Sequence, residues 1–151
     1  MKMLDVVNPA TEELITQLPI DNAEAVALKA QKARNAQAAW AATSLAQRMA
    51  CIQRFRGLVQ TQLDDLAKIM TQETGKPLGH SRNELNGFLG RVDFFLAEAE
   101  GILKTETVYN QDGMCEQIQH IPLGLIGNIS AWNYPWFVGG NVFVPGLLMG
   151  N

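Results

Sequence analysis

The stretch LIGNISAWNYPW, residues 125–136, decides the fold of this chain. It begins as a mostly apolar run, which is typical of a strand buried on both faces of a sheet. Pro135 then suits the first turn of a helix, which the apolar residues 136–149 continue and the Gly-Asn pair at 150–151 caps. Pro145 predicts a kink or break within that helix. The stretch is therefore predicted to form one strand–helix unit of an α/β sheet.

Charge is absent from the last 31 residues, 121–151, although the whole chain has 12 Lys and Arg and 15 Asp and Glu. With 47% hydrophobic and 18% charged residues the chain is too apolar to be disordered. Its net charge of -3 and its lack of a Lys/Arg cluster argue against nucleic-acid binding. Repeated Gly, Pro and Asn interrupt the tail and disfavour a membrane span. A lone buried strand cannot satisfy its own backbone, so we expect an incomplete domain.

Upstream of residue 104, apolar residues recur at three- and four-residue steps, which predicts helices. A polar pair at 21–22 supplies the cap of the first helix, which continues to Trp40. Ser and Gln at the two ends of the segment 44–47 have the spacing of a capping box and open a second helix. Its apolar stripe runs without interruption to Met70, which predicts one continuous helix.

The segment Glu-Thr-Gly-Lys-Pro, residues 73–77, places a Gly to stop this second helix and a Pro to prevent its resumption. Ser81 and Glu84 have the spacing of another capping box. A third helix is therefore expected to begin at Ser81 and to continue to Leu103. Glu84 is expected to be a surface or helix-end charge.

A β-hairpin is predicted after these helices. Two β-prone runs, 105–109 and 114–121, flank the turn Asn-Gln-Asp-Gly at 110–113. The predicted organisation is an N-terminal helical part of a larger domain at 1–104, a hairpin at 105–121 and a truncated strand–helix unit at 122–151.

The cysteines and histidines show no pattern that predicts chemistry. Cys51 and Cys115 lie far apart without a CxxC spacing, which indicates reduced thiols in a cytoplasmic protein. The N-terminus lacks the apolar run of a secretion signal. His80 and His120 lie 40 residues apart without a third ligand, so no metal site is predicted.

Asn133 is the residue of the opening stretch that could carry chemistry. It follows the predicted strand, at the edge where open α/β sheets bind ligands. A neutral amide there could donate to a developing oxyanion without a protonation state of its own. From the residues alone a second interpretation stays open, in which Asn133 caps the following helix and the flanking aromatics belong to the core.

The same stretch resembles the Trp-Asn-[Phe/Tyr]-Pro motif of the NAD(P)-dependent aldehyde dehydrogenase superfamily. Other segments resemble motifs of that family in the family's order: NPAT at 8–11, AW at 39–40, ETGKP at 73–77, PLGLI at 122–126 and PGLLMGN at 145–151. The resemblance covers nearly the whole chain. It implies an α/β fold whose N-terminal part consists of helices, a β-hairpin arm and the first βα unit of a Rossmann-like cofactor-binding sheet.

The resemblance also implies roles for individual residues. Asn133 matches the asparagine whose side-chain amide forms an oxyanion hole together with the backbone N–H of the catalytic cysteine. The residues that match the lining of the nicotinamide side of the cofactor pocket are Ile129, Ser130, Ala131 and Trp132. Ala131 stands where the family often has Pro. The hairpin at 105–121 resembles part of an arm through which family members oligomerise.

The activity implied by the resemblance is oxidation of an aldehyde to a carboxylic acid with NAD or NADP, through a cysteine thiohemiacetal. By resemblance the nucleophile and the general base lie beyond residue 151, and neither cysteine present matches the nucleophile's motif. We therefore expect a fragment that is inactive alone and that belongs to a homo-oligomer without nucleic-acid or membrane partners. The alternative is a short natural product that acts as a non-catalytic interaction module through its hairpin and apolar tail.

Overall fold

The computed structural model describes residues 2–151, which form five helices and four short strands. In chain order these are β1 (Met3–Val7), β2 (Leu14–Pro19), α1 (Ala23–Ala41), α2 (Leu45–Thr61), α3 (Leu63–Thr74), α4 (Leu78–Leu103), β3 (Glu106–Gln111), β4 (Met114–Ile118) and α5 (Pro135–Leu148). The strands pair as two separate antiparallel hairpins, β1 with β2 and β3 with β4. None of the helices within this range is long and apolar enough to cross a membrane.

The N-terminal hairpin β1–β2 precedes the helices within residues 1–104. The Asn-Pro-Ala-Thr turn connects the two strands, and the Asn8 side chain accepts a hydrogen bond of 2.9 Å from the Ala10 N–H. Pro9 of this turn lies against Gly75, where a Cβ would approach the Pro9 Cγ to 2.8 Å. The hairpin is thereby seated on the end of α3.

The helix α1 lies across the end of α5. Its cap is Asn22, which accepts a hydrogen bond of 2.8 Å from the Ala25 N–H. The Trp40 indole donates to the Leu147 carbonyl at 3.0 Å. None of the α1 residues is fully buried, and a cavity of about 450 Å³ lies between α1, α5 and residues 125–128.

The predicted second helix is divided in two at Gln62. The capping box at its start is confirmed, because the Gln47 N–H donates to Ser44 Oγ at 3.2 Å and the Ser44 N–H donates to Gln47 Oε1 at 3.0 Å. Gln62 leaves the helical conformation, with φ -107° and ψ 13°. The apolar stripe does not reveal this break, because both helices bury residues in the same core. These are Ile52 and Val59 of α2 and Ala67 and Met70 of α3.

The helix α4 begins earlier than predicted. Gly75 ends α3 in the left-handed conformation, as expected, and Pro77 takes the N-cap position of a new helix, α4. Proline is compatible with a helix start because the first amides need no helical partner. Ser81 and Glu84 lie inside α4 and are buried, so the predicted capping box there is wrong. The Ser81 hydroxyl instead forms a 2.8 Å hydrogen bond with that of Thr71.

The core is centred on α4, which packs against α2, α3 and α5. Phe88 is completely buried there, and its ring meets the Trp136 ring edge-on at a centroid distance of 5.4 Å and the Phe55 ring at 6.0 Å. Gly140 allows the close approach of α5, because a Cβ at this position would lie 2.6 Å from Phe88 Cδ2. The contact between Gly140 and the Phe88 ring therefore sets how closely α5 packs against α4.

The buried strand predicted at 125–131 does not form, so the prediction of the strand in the first βα unit was wrong. The segment contains no strand and has no ladder partner among the described residues. Its backbone groups consequently stay near the surface, where water can satisfy them. Ile129 is fully exposed rather than buried. The unit at 122–151 is thus represented by its helix.

The helix of that unit forms close to its predicted limits, with Pro135 in its first turn. It continues past Pro145, so no break occurs at that residue. At its end the Gly150 N–H donates to Leu147 and the Asn151 N–H to Gly146, both at 3.0 Å. Gly150 has a φ of 90°, so the Gly-Asn pair closes the helix in a Schellman motif, as predicted.

The hairpin predicted at 105–121 is confirmed as β3–β4. Asp112 and Gly113 both have positive φ, 52° and 76°, which suits a tight two-residue turn. Nearly all of its residues are exposed.

Candidate functional site

The candidate site is the turn that carries Asn133, just before α5. Tyr134 occupies the cap position of α5 and makes no side-chain capping bond. Asn133 lies one residue earlier and is an exposed residue. The interpretation of Asn133 as the helix cap is therefore wrong, and Asn133 is an exposed residue of the turn.

A residue of another helix supplies the missing cap. Glu84 of α4 accepts two hydrogen bonds through Oε1, from the Trp136 N–H at 2.9 Å and from the Phe137 N–H at 3.2 Å. These amides belong to the first turn of α5, where the helix itself offers no acceptor. The positive end of the helix dipole favours a carboxylate at this place. The expectation that Glu84 is a surface charge was wrong, since only 3% of the residue is exposed.

Lys76 joins Glu84 to the turn. Its ammonium forms an ion pair with Glu84 Oε2 and donates a hydrogen bond of 2.6 Å to the Asn133 carbonyl. It also lies 4.3 Å from the centre of the Tyr134 ring, within the range of a cation–π contact. The segment 73–77, which the sequence predicts to stop a helix and which resembles a family motif, thus also contacts the candidate site.

Sequence reasoning missed both residues, although a signal for Glu84 was present. Glu84 lies on the same stripe of α4 as Ser81, Leu85 and Phe88, all of which are buried. A carboxylate on a buried stripe requires a partner, because an isolated charge is costly to bury. Nothing in the sequence indicates what the Lys76 ammonium contacts.

The four residues predicted to line a cofactor pocket divide into two kinds. Ile129 is fully exposed and Trp132 is 86% exposed, so both present apolar surface to solvent. Ser130 and Ala131 are half-buried, and the Ser130 hydroxyl donates to the Pro135 carbonyl at 3.0 Å. These four residues directly precede Asn133 in the chain, and two of them are exposed to solvent.

A cavity of about 400 Å³ lies on the Glu84 side of the turn, beside Tyr134. Tyr134 and Phe137 line it together with His80. Cys51 is half-buried in α2 and Cys115 is exposed on β4, and neither lines this cavity. In residues 2–151, no cluster of three or more side chains suited to metal binding occurs.

The whole sequence, residues 1–151, matches the aldehyde dehydrogenase family. The chain belongs to the aldehyde dehydrogenase family. The resemblance described in the sequence analysis is thereby confirmed. The individual roles of Asn133 and of residues 129–132 stay predictions.

Members of the aldehyde dehydrogenase family that resemble the chain extend beyond it. The 3,6-anhydro-alpha-L-galactose dehydrogenase of Streptomyces coelicolor is 28% identical over 148 residues, which are 98% of this chain and 30% of that protein. The N-succinylglutamate 5-semialdehyde dehydrogenase of Acinetobacter baylyi is 29% identical over 150 residues, 99% of this chain and 30% of that protein. The chain spans about 30% of the length of these curated relatives.

Solved structures confirm the expected fold class, the N-terminal part of an aldehyde dehydrogenase. The aldehyde dehydrogenase of Brucella melitensis biovar abortus 2308 superposes with a TM-score of 0.93 at 27% identity, over 99% of this chain and 31% of that one. PnpE, solved in complex with nicotinamide adenine dinucleotide, gives a TM-score of 0.92 at 25% identity, again over 99% and 31%.

Proposed function

We propose that this chain supplies the oxyanion-stabilising part of an oxidoreductase that oxidises an aldehyde to a carboxylic acid with NAD or NADP. The observation that carries the proposal is the exposed position of Asn133 on a turn held by Lys76 and Glu84. Membership of the aldehyde dehydrogenase family supports the class of reaction.

In this proposal the Asn133 amide acts on the aldehyde oxygen. When a nucleophile adds to an aldehyde carbon, negative charge develops on that oxygen, and a fixed donor stabilises it more than a mobile water does. The amide is neutral, so it donates equally well across the pH range in which such enzymes act. The turn itself contributes the fixed orientation.

Residues 129–132 fit one side of a nicotinamide. Ile129 and Trp132 present apolar surface beside Asn133, and a flat ring of this kind is bound mainly by such surface. The Ser130 hydroxyl holds the segment against the start of α5 through its bond to the Pro135 carbonyl. NAD or NADP, when bound, supplies the hydride acceptor. Relatives of the chain include a protein solved with nicotinamide adenine dinucleotide.

The proposal makes Asn133 necessary in a complete enzyme. A chimera in which residues 1–151 replace the matching part of the Brucella enzyme should form NAD(P)H from aldehydes, because the two superpose closely. Asn133→Ala should then lower kcat by about 100- to 1000-fold, as loss of one oxyanion donor does. The matched control is Asn110→Ala on β3, which should leave kcat unchanged. An inactive chimera, or an Asn133→Ala chimera with full kcat, would contradict the proposal.

We further propose that the chain is inactive alone and is cytoplasmic. Its two cysteines lie on α2 and β4, away from the cavity beside Tyr134. Purified residues 1–151 with NAD or NADP and small aldehydes should give no absorbance change at 340 nm above a protein-free blank. Turnover by the chain would refute its inactivity.

A second candidate function is a non-catalytic interaction module, and exposed apolar side chains favour it. Between β4 and α5 these include Ile121, Leu123, Ile129 and Trp132, and the hairpin adds others, among them Val108 and Ile118. Exposed apolar surface of this kind marks contact sites. The same hairpin would serve as the arm of a homo-oligomer. Light scattering after size exclusion tests both ideas, and a monomer at all concentrations would contradict them.

A further inference from the structure

We propose that Lys76 and Glu84 are positioning residues for Asn133, a unit that fixes the direction in which its amide points. This inference rests on the oxyanion function proposed for Asn133. It adds two residues that both precede the β3–β4 hairpin in the chain. Their effect would be exerted through the backbone of the turn.

The first observation is that hydrogen bonds fix the backbone of the turn on both sides of two residues. Lys76 holds the Asn133 carbonyl, and Glu84 holds the Trp136 and Phe137 amides. Only Tyr134 and Pro135 lie between these contacts. Pro135 has a fixed φ, so little backbone freedom is left in which the turn could rotate.

The second observation is that the two residues depend on each other. The Glu84 side chain is fully buried and that of Lys76 is 13% exposed. A buried carboxylate that loses its cation is left uncompensated, which is far costlier than loss of an exposed pair. Each Glu84 oxygen has its own partner, Oε1 the α5 amides and Oε2 the Lys76 ammonium. Removal of either residue should therefore disturb the contacts of the other.

The third observation is that the Lys76 ammonium has three partners at the turn. It contacts the Glu84 carboxylate, the Asn133 carbonyl and the Tyr134 ring. An ammonium has three donor hydrogens, and these three groups can each receive one. A lysine that served only to neutralise Glu84 would not need to reach the carbonyl of Asn133.

A merely structural pair would give a different result from a positioning pair, and amide NMR separates them. In the ¹⁵N-labelled 151-residue chain, Lys76→Met and Glu84→Gln are compared for the Asn133 side-chain amide signal and for hydrogen exchange at Trp136 and Phe137. The Val144 amide in the buried middle of α5 reports global opening. The control is Asp93→Asn, which removes an exposed ion pair from the same helix α4.

We expect both variants to shift and broaden the Asn133 side-chain signal. Exchange at Trp136 and Phe137 should accelerate about tenfold relative to Val144 in Glu84→Gln, since a charge-assisted bond becomes a neutral one. Lys76→Arg should keep the native Asn133 signal, because it retains a cation and donors. Asp93→Asn should leave the Asn133 signal unchanged.

The proposal is overturned if the Asn133 signal stays native in both variants, or if exchange rises equally at Val144. Should Glu84→Gln fail to fold, the contrast between Lys76→Met and Lys76→Arg decides the matter alone. The measurement involves neither aldehyde nor cofactor. It therefore distinguishes a failed positioning unit from a failed oxyanion function, which the chimera with Asn133→Ala tests separately.

Discussion

At the scale of the residue, Gly140 shows that the absence of one methyl group sets the distance between α4 and α5. In Gly140→Ala the new Cβ would lie 2.6 Å from Phe88 Cδ2. Phe88 is completely buried among other rings and cannot retreat. We expect a loss of about 1–3 kcal/mol in the free energy of unfolding, measured by chemical denaturation.

The matched control for Gly140→Ala is Gly90→Ala, in the middle of α4. No heavy atom lies within 4 Å of a Cβ at position 90. This substitution should raise stability by about 0.5–1 kcal/mol, because alanine loses less backbone entropy in a helix than glycine. Equal effects of the two substitutions would show that packing against Phe88 does not limit the approach of α5.

The ion pair between Asp93 and Arg56 predicts a pH dependence. Hydrogen bonding to the Arg56 guanidinium, at 2.8 and 2.9 Å, together with its charge lowers the pKa of Asp93. A lowered carboxyl pKa stabilises the fold above the unfolded value of about 3.9, and this contribution disappears as the pH falls through the folded pKa.

We therefore expect Asp93→Asn to lower stability at neutral pH by less than about 1 kcal/mol, since half of the Asp93 side chain is exposed and solvent screens the pair. The difference from the native chain should vanish under acid, well below pH 4. Urea denaturation at several pH values measures it. A difference that grew as the pH fell would contradict the assigned direction of the pKa.

At the scale of the element, Asn151 ties the segment after the β3–β4 hairpin to α5. Its side chain accepts a 2.9 Å hydrogen bond from the Gly124 N–H and donates at 3.0 Å to the Gly146 carbonyl. Asn151→Ala should speed hydrogen exchange at Gly124 by about tenfold, since about 1 kcal/mol or more is lost with such a bond. Unchanged exchange at Gly124 would mean that other contacts hold this segment.

Elements whose signals are local were predictable from the sequence. The capping box at Ser44, the stop at Gly75 and the tight turn at 112–113 each follow from residues within a few positions of each other. The break at Gln62 was not predictable, because the apolar stripe continues through it. The strand at 125–131 failed for a different reason, since an apolar run forms a strand only beside a partner.

The candidate site was predictable only in part, for the same physical reason. Asn133 lies in a motif of neighbouring residues, and resemblance to a family located it. Lys76 and Glu84 act on it across 57 and 52 residues of chain, from Lys76 to Asn133 and from Glu84 to Trp136. Contacts over such separations depend on how α4 and α5 pack, which no local pattern encodes.

At the scale of the whole molecule, apolar surface is distributed unevenly. Leu123 is 91% exposed and Ile129 fully so, on a segment without charge. We expect the chain to self-associate. The triple variant Ile121→Ser, Leu123→Ser, Ile129→Ser should self-associate less, and its unfolding midpoint should change little. Light scattering over a concentration series measures this. The control Val26→Ser on α1 removes a single exposed apolar residue elsewhere and should not change association.

The contacts of Lys76 and Glu84 with the turn before α5 have a consequence for how the chain can be divided. Residues 104–134 connect α4 to α5, and the contacts of Lys76 and Glu84 join the parts of the chain on either side of the β3–β4 hairpin. A cut at the tip of the hairpin, between Asp112 and Gly113, would leave each half with its share of the core. The two halves should then reassemble when mixed, so the hairpin is the natural place at which this protein can be split and rejoined, or extended with an inserted tag.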